Sequence, residues 1–140
     1  MELKKEQQKA EQARYNVPYD LPPEDAVKEI TGQAICHVNG VLGLKGNLGD
    51  IFKRGDDLRR GITVNLDAAP MLVSARIIGD IEVDGKKLVR EVHDAVLYAL
   101  KEGAGMNDVD LDIELDDMLE RDSFYEKYGA GRGCEYAIQQ

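Results

Sequence analysis

GITVNLDAAPMLVSARIIGDIEVDGKKLVREVHDAVLYALKEGAGMNDVDLDIELD, residues 61–116, is the stretch that decides the fold. β-Branched and apolar residues dominate two short runs, Gly61–Asp67 and Met71–Ile78, and the tripeptide Ala68-Ala69-Pro70 separates them. Runs of this composition are typical of strands, and proline interrupts the hydrogen-bond ladder of a strand. We therefore predict two neighbouring strands with a break at Pro70.

A long helix is expected after the two strands. Apolar residues recur there at three- and four-residue spacing, namely at Leu88, Val89, Val92, Ala95, Val96, Ala99 and Leu100. This spacing places them on one helical face, which we expect to be buried. Gly103 and Gly105 can end the helix because glycine adopts positive φ without strain. The preceding segment, Gly79–Gly85, either extends the second strand, forms a small extra strand or bulge, or connects to the helix with Asp84 as its cap.

The stretch ends in VDLDIELDD, residues 109–117, in which apolar and acidic residues alternate until the final Asp-Asp. Successive side chains of a strand point to opposite faces, so this strand is predicted to have one buried apolar face. That face consists of Val109, Leu111, Ile113 and Leu115. The opposite face, which we expect to meet water, carries Asp110, Asp112, Glu114 and Asp116.

The clustered carboxylates of this strand also suggest calcium, because hard cations prefer oxygen ligands. An EF-hand loop that starts at Asp108 needs glycine at its sixth position and glutamate at its twelfth, but Ile113 and Leu119 stand there. A solvated strand face is therefore the prediction. Weak cation binding and an acidic docking surface for a basic partner are the alternatives.

The segments before this unit differ in character. Residues 1–20 are rich in Lys, Glu and Gln, and they predict a flexible charged arm. A first helix is expected after Pro23, with Val27, Ile30, Ala34 and Val38 on one stripe. The dipeptide Asn39-Gly40 is expected to end it. Residues 41–60 contain repeated glycines and predict a long loop with a short helical turn at 51–53.

These elements predict an α+β domain over residues 21–120, followed by a C-terminal tail over residues 121–140. The expected order is α-β-β-α-β, in which the helices pack on one face of a small three-stranded sheet. The chain has 140 residues, of which 43% are apolar. This size suits one domain with one core.

The charge of the chain is acidic and unevenly distributed. The formal net charge is -9, because residues 1–60 hold ten basic and ten acidic side chains and residues 61–140 hold eight and seventeen. A negative field repels polyphosphate and anionic lipid, so basic proteins are favoured as partners over nucleic acid. No segment approaches the ~20 apolar residues that span a bilayer, so we expect neither direct membrane insertion nor a signal peptide.

The cysteines and histidines contain the ligand types that zinc prefers. Cys36 and Cys134 are far apart in the sequence and form no paired metal spacing, so we predict two reduced thiols in a cytoplasmic protein. His37 and His93 are predicted to occupy ordinary packing or surface positions. Zinc binding and a Cys-His nucleophilic pair remain alternatives. The prediction is a protein without enzymatic activity, cofactor or metal.

A glycine-rich segment, GVLGLKGNLGD at residues 40–50, suggests a phosphate-binding loop. A P-loop requires a Gly-Lys-Ser/Thr sequence, which this chain lacks. The spacing of Gly40 and Gly43 is the G-x-x-G of KH-type RNA modules. A KH-like RNA-binding module that uses this loop and the Arg59-Arg60 pair is therefore the alternative function.

Four segments carry a resemblance to a known family. They are PPEDAVKEITGQAICHVNGVLGL (22–44), GITVNLD (61–67), LVSARIIG (72–79) and LVREVHDAVLYALKEGAGMNDVDLDIEL (88–115). The chain resembles the alkaline-shock or general-stress envelope-response family of Gram-positive bacteria. The resemblance implies a small cytosolic, non-enzymatic protein of envelope stress or maintenance. It also implies self-association, including association with related stress proteins, and attachment to the inner face of the membrane through a small membrane-anchored partner.

The charged side chains supply candidate contacts for such association. Arg54, Arg59 and Arg60 lie in the predicted loop, and Asp110, Asp112 and Glu114 lie on the predicted last strand. If these two groups occupy separate faces, opposite charges let copies meet head to tail. We therefore predict a scaffold that acts by self-association and by docking to an anchoring partner.

Overall fold

The structure is a computed structural model that describes residues 21–47, 58–129 and 133–134, and it confirms the α+β class. Seven helices and strands occur in this described part, with two short 3-10 turns at Lys45–Asn47 and Leu58–Gly61. They are α1 (Pro23–Cys36), β1 (Val41–Leu44), β2 (Ile62–Asn65), β3 (Met71–Asp80), α2 (Gly85–Ala104), β4 (Val109–Leu119) and α3 (Arg121–Tyr128).

The sheet is built around β3. β4 runs parallel to β3 along its whole length, from Met71 opposite Val109 to Asp80 opposite Leu119. β1 and β2 are antiparallel to β3 and lie end to end along its other edge. The described sheet therefore has four strands, one more than the sequence predicted, because residues 41–44 form a strand within the predicted loop. All four residues of β1 are buried.

α1 and α2 cover one face of this sheet and enclose the main core. The buried side chains of α1 include Val27, Ile30, Ala34 and Ile35, and those of α2 are Leu88, Val92, Val96, Ala99 and Leu100. From the sheet, Val73 and Ile77 of β3 meet them with no solvent exposure. The predicted apolar faces of both helices are thus the faces that pack.

Both ends of α2 have recognisable capping residues. The Asp84 side chain accepts hydrogen bonds from the backbone N–H groups of Lys86 and Lys87 at 3.0 and 3.3 Å, which is N-capping. Gly105 follows the helix with φ of 67°, a left-handed conformation that glycine adopts without steric cost. Of the alternatives for residues 79–85, the structure therefore combines a longer β3 with a connection capped by Asp84.

The third helix corrects the prediction that helices pack on one face only. In α3, Phe124 is fully buried and packs against Leu42 and Ile78, which form a second cluster apart from the main core. Arg121 Nη2 also lies 3.7 Å from Asp80 Oδ2 at the end of β3. This part of the predicted tail is therefore packed against the sheet.

A disulfide between Cys36 and Cys134 corrects the prediction of two reduced thiols. The two Cα atoms are 4.9 Å apart, and both residues are buried. A side chain at the preceding Gly133 would be tightly placed, since a Cβ there would lie 3.1 Å from the Leu42 carbonyl oxygen. The bond joins the end of α1 to the C-terminal segment, across 98 positions of sequence.

Several predictions concern residues outside the described part. They are the charged arm at 1–20, the helical turn at 51–53, Arg54, and the tail at 130–132 and 135–140. Among the helices of the described ranges, none is long and apolar enough to cross a membrane.

Candidate functional site

One face of the sheet remains largely open, and we call it the open face. It lies opposite α1 and α2, and its side chains alternate along β2, β3 and β4 with those that enter the core. These side chains are Thr63, Asn65, Leu72, Ser74, Arg76, Asp110, Asp112 and Glu114. The predicted orientation of β4 is therefore confirmed, with its carboxylates exposed and its apolar residues turned towards the core.

Ion pairs neutralise only part of the acidic row. Arg76 Nε lies 3.1 Å from Glu114 Oε2, and both side chains are more than half exposed. Lys45 Nζ lies 3.8 Å from Asp116 Oδ2. No ion-pair partner of Asp110 or Asp112 occurs among the described side chains. Asp110 and Asp112 therefore give the N-terminal half of β4 a negative surface. The two exposed pairs contribute only about 0–1 kcal/mol each to stability.

A shallow concavity of 380 Å³ crosses the open face, and we call it the face groove. It lies where β1 ends and β2 begins, and it reaches across β3 to β4. Its lining residues are Lys45, Gly46, Arg60, Gly61, Thr63, Ser74, Ala75, Arg76, Asp112 and Glu114. Three cations and two carboxylates thus meet in one groove. Such a surface can bind a partner of mixed charge.

Arg59 and Arg60, which were predicted as contact residues, point to different parts of the structure. Arg60 is exposed and lines the face groove beside Asp112 and Glu114. Arg59 instead points to α1, where its Nε lies 3.6 Å from Glu29 Oε2. Arg60 and the acidic row therefore share one face. This arrangement differs from the separate faces that the head-to-tail hypothesis requires.

The described residues do not form the zinc site or the Cys-His nucleophilic pair that the sequence left as alternatives. Both sulfur atoms belong to the disulfide, so neither is a thiolate in this form of the protein. His37 Nδ1 lies 2.7 Å from the backbone oxygen of Gln33, within its own helix end. His93 Nδ1 lies 3.8 Å from Oδ1 of the neighbouring Asp94. Within the residues that the structure describes, no group of three His, Cys, Asp or Glu side chains has metal-binding geometry.

The glycine-rich segment is placed differently from a phosphate-binding loop. Gly40 is buried in the turn between α1 and β1, with φ of 106°, and Gly43 is buried within β1. A buried backbone offers no accessible N–H groups to clamp a nucleic-acid strand. Gly46 is exposed and lines the face groove, and Gly49 lies outside the described residues.

Two cations of the face groove, Lys45 and Arg76, were not among the contact residues predicted from the sequence. The signal for Arg76 was present, because MLVSARII alternates between side chains that enter the core and side chains that leave it. Lys45 had no such signal. It reaches the groove because β1 is a strand, and its Nζ also lies 3.4 Å from the Tyr128 hydroxyl of α3.

Comparison with known proteins adds no assignment to this geometry. No protein-family model matches the chain, and no solved structure matches it.

Proposed function

We propose that the chain is a non-catalytic protein–protein association module that acts in envelope stress or envelope maintenance. In this proposal one surface holds copies of the chain, or related stress proteins, together. A second surface docks to a small membrane-anchored partner. The observation that carries the association is the open face, where a row of exposed carboxylates lies next to arginines.

A face that carries both signs of charge is complementary to itself. In a two-fold dimer the same patch meets its copy, so basic side chains of one protomer lie against acidic side chains of the other. Arg60 and Arg76 stand beside Asp112 and Glu114 in the face groove, and Asp110 extends the acidic row. We therefore propose a two-fold association through the open face in place of the head-to-tail arrangement.

The envelope role and the anchored partner rest on the family resemblance. The same resemblance supports a cytoplasmic location at the inner face of the membrane. The disulfide weighs against that location, since cytosolic thiols are normally kept reduced. Acid quenching of living cells, followed by alkylation of the denatured protein, decides between the two, because both cysteines are buried and the fold would shield them in either redox state. Modified Cys36 and Cys134 support the cytoplasm, and protection of both contradicts it.

The test of self-association is the double substitution Asp110→Lys and Asp112→Lys. Both side chains are exposed, and reversing their charge places cations opposite Arg60 and Arg76 of a second copy. We expect light scattering to report the mass of a single chain. The melting temperature should change by less than about 2 °C, because exposed substitutions usually alter stability by under 0.5 kcal/mol.

A matched control changes the same charge elsewhere. Glu91 and Glu102 are exposed on α2, on the other side of the sheet. The variant with Glu91→Lys and Glu102→Lys should associate like the unaltered protein. If the β4 variant keeps the same scattering mass as this control, the open face is not the association surface.

A further inference from the structure

The outer edge of β4 has no partner in the described part of the chain. β4 is an 11-residue strand that pairs with β3, and none of the other described strands pairs with it. An edge strand of this length presents a row of backbone N–H and C=O groups that can pair with another extended chain. The edge is therefore an interaction surface in its own right.

The two sides of this edge differ in chemistry. On the side of the open face stand Asp110, Asp112 and Glu114, of which Asp110 and Asp112 have no ion pair among the described residues. On the helix side stand Leu111, Ile113 and Leu115, which are only partly buried. A strand that pairs with this edge meets acidic neighbours at alternate positions and apolar neighbours at the others.

An apolar concavity adjoins the helix side of the edge, and we call it the edge groove. Its volume is 610 Å³, and it is lined by Val89 and Leu115 together with Asp84, Gly85 and Lys86 at the start of α2. Gly85 makes the close approach possible, because a Cβ there would lie 2.9 Å from Leu115 Cδ2. The edge groove can hold an apolar side chain of a strand that pairs with β4.

A second copy of β4 does not suit this edge. Antiparallel pairing of two β4 strands brings their acidic rows together on the same face, and parallel pairing turns the second copy over, which places its acidic row on the apolar side of the first. Like charges directly opposite each other in neighbouring strands are destabilising. Asp110, Asp112 and Glu114 therefore act against pairing of β4 with itself, and they favour a strand of opposite charge.

We propose that the outer edge of β4 binds an extended segment of a partner protein in which basic and apolar residues alternate. The segment adds a further strand to the sheet, so that its basic side chains lie beside the acidic row and an apolar side chain enters the edge groove. The inference rests on the proposed function as an association module, and it specifies the chemistry of the docking partner. In this mode of recognition, main-chain hydrogen bonds supply affinity and alternate side chains supply specificity.

The repeat of an added strand matches the repeat of the acidic row on β4. Residues two apart in a strand are separated by about 6.6 Å, so every second residue of an added strand stays in step with the acidic row. Three basic residues then meet Asp110, Asp112 and Glu114, and the residues between them face Leu111 and Ile113. Register is set by both rows, since a shift of one residue places cations against the apolar side.

The experiment uses the full chain and a fluorescent, end-capped heptapeptide in which Lys and Val alternate. Fluorescence anisotropy at ~50 mM salt should show saturable binding. A shuffled peptide of the same composition, with its lysines in consecutive positions, should bind at least tenfold more weakly. Hydrogen exchange should slow at the amides of residues 109–119 when the alternating peptide is added. Equal binding of the two peptides, binding without slower exchange, or no binding at all overturns the proposal.

Two variants with the same charge change locate the site. Val89→Lys places a cation in the edge groove and should weaken peptide binding at least tenfold. Tyr98→Lys lies on the same helix at a position that is 54% exposed, and it should leave binding unchanged. Equal effects of the two variants would show that the peptide does not enter the edge groove.

Self-association is measured separately, by light scattering without peptide, and Val89→Lys should not alter it. A monomeric chain that binds the peptide refutes the proposed self-association but not the edge proposal. A dimer that ignores the peptide refutes the edge proposal alone.

Discussion

Thr31 is the buried polar residue whose side chain has no hydrogen-bond partner in the described structure. It lies in α1 with no solvent exposure, among Val27, Ile30 and Ile35. A buried hydroxyl without a partner loses its hydrogen bonds to water and forms none in the protein. This loss destabilises the folded state by about 1–3 kcal/mol. This residue therefore lowers the stability of an otherwise apolar helix face.

We predict that Thr31→Val stabilises the protein. Valine has nearly the same shape, so it keeps the packing and removes the unpaired hydroxyl. The free energy of unfolding should rise by about 1 kcal/mol, and the melting temperature by about 4 °C. Calorimetry measures both.

The control is Thr63→Val on the exposed side of β2, which should change the free energy of unfolding by less than about 0.5 kcal/mol. A Thr31→Val variant that is no more stable than this control would mean that the hydroxyl is satisfied in solution.

At the scale of elements, α3 shows how one helix divides the open face. It covers the end of the face beside Leu42 and Ile78 and leaves the acidic row of β4 exposed. Phe124 supplies the contact with Leu42 and Ile78. Within α3, its ring centroid lies 5.6 Å from that of Tyr125 and 5.2 Å from that of Tyr128. The helix has eight residues, which is too short to be stable without such packing.

We predict that Phe124→Ala destabilises the protein by about 3 kcal/mol, because it leaves a cavity where a fully buried ring was. Urea denaturation followed by far-UV circular dichroism measures the loss. Tyr98→Ala, an equivalent truncation at an exposed position of α2, should cost less than about 0.5 kcal/mol. Equal midpoints for the two variants would contradict the packing of α3 on the sheet.

At the scale of the whole molecule, the disulfide ties the first helix to the C-terminal segment. A cross-link that closes a loop of 98 positions restricts the unfolded chain over most of its length. Chain-entropy estimates for loops of this size approach ~5 kcal/mol, and removal of native disulfides typically costs about 2–5 kcal/mol. The bond therefore has a large effect on the stability of the entire domain.

We predict that reduction lowers the free energy of unfolding by about 2–5 kcal/mol. Urea titrations with and without a reducing agent measure the difference, and mass spectrometry confirms the redox state. The double variant with Cys36→Ala and Cys134→Ala should unfold near the reduced protein and should not respond to the reductant. Identical midpoints for the oxidised and reduced chains would show that the bond does not constrain the fold.

Local patterns of the sequence were sufficient for the individual elements. The alternation from Val109 to Leu115 predicted a half-buried strand, since a strand has a period of two. Asp84 and Gly105 marked the ends of α2 because caps are satisfied within a few residues. β1 was missed because its four residues lie among glycines, and its partner strand lies more than thirty residues further along the chain.

The sequence by itself determined the α+β class, the apolar faces of α1 and α2, and the exposure of the acidic row. Each of these depends on the period of a helix or a strand, which is a local property. The tertiary structure alone decided that Cys36 meets Cys134, that Arg60 lies beside Glu114, and that β4 is an edge. These pairings join distant segments, so they depend on how the packed elements are arranged in space.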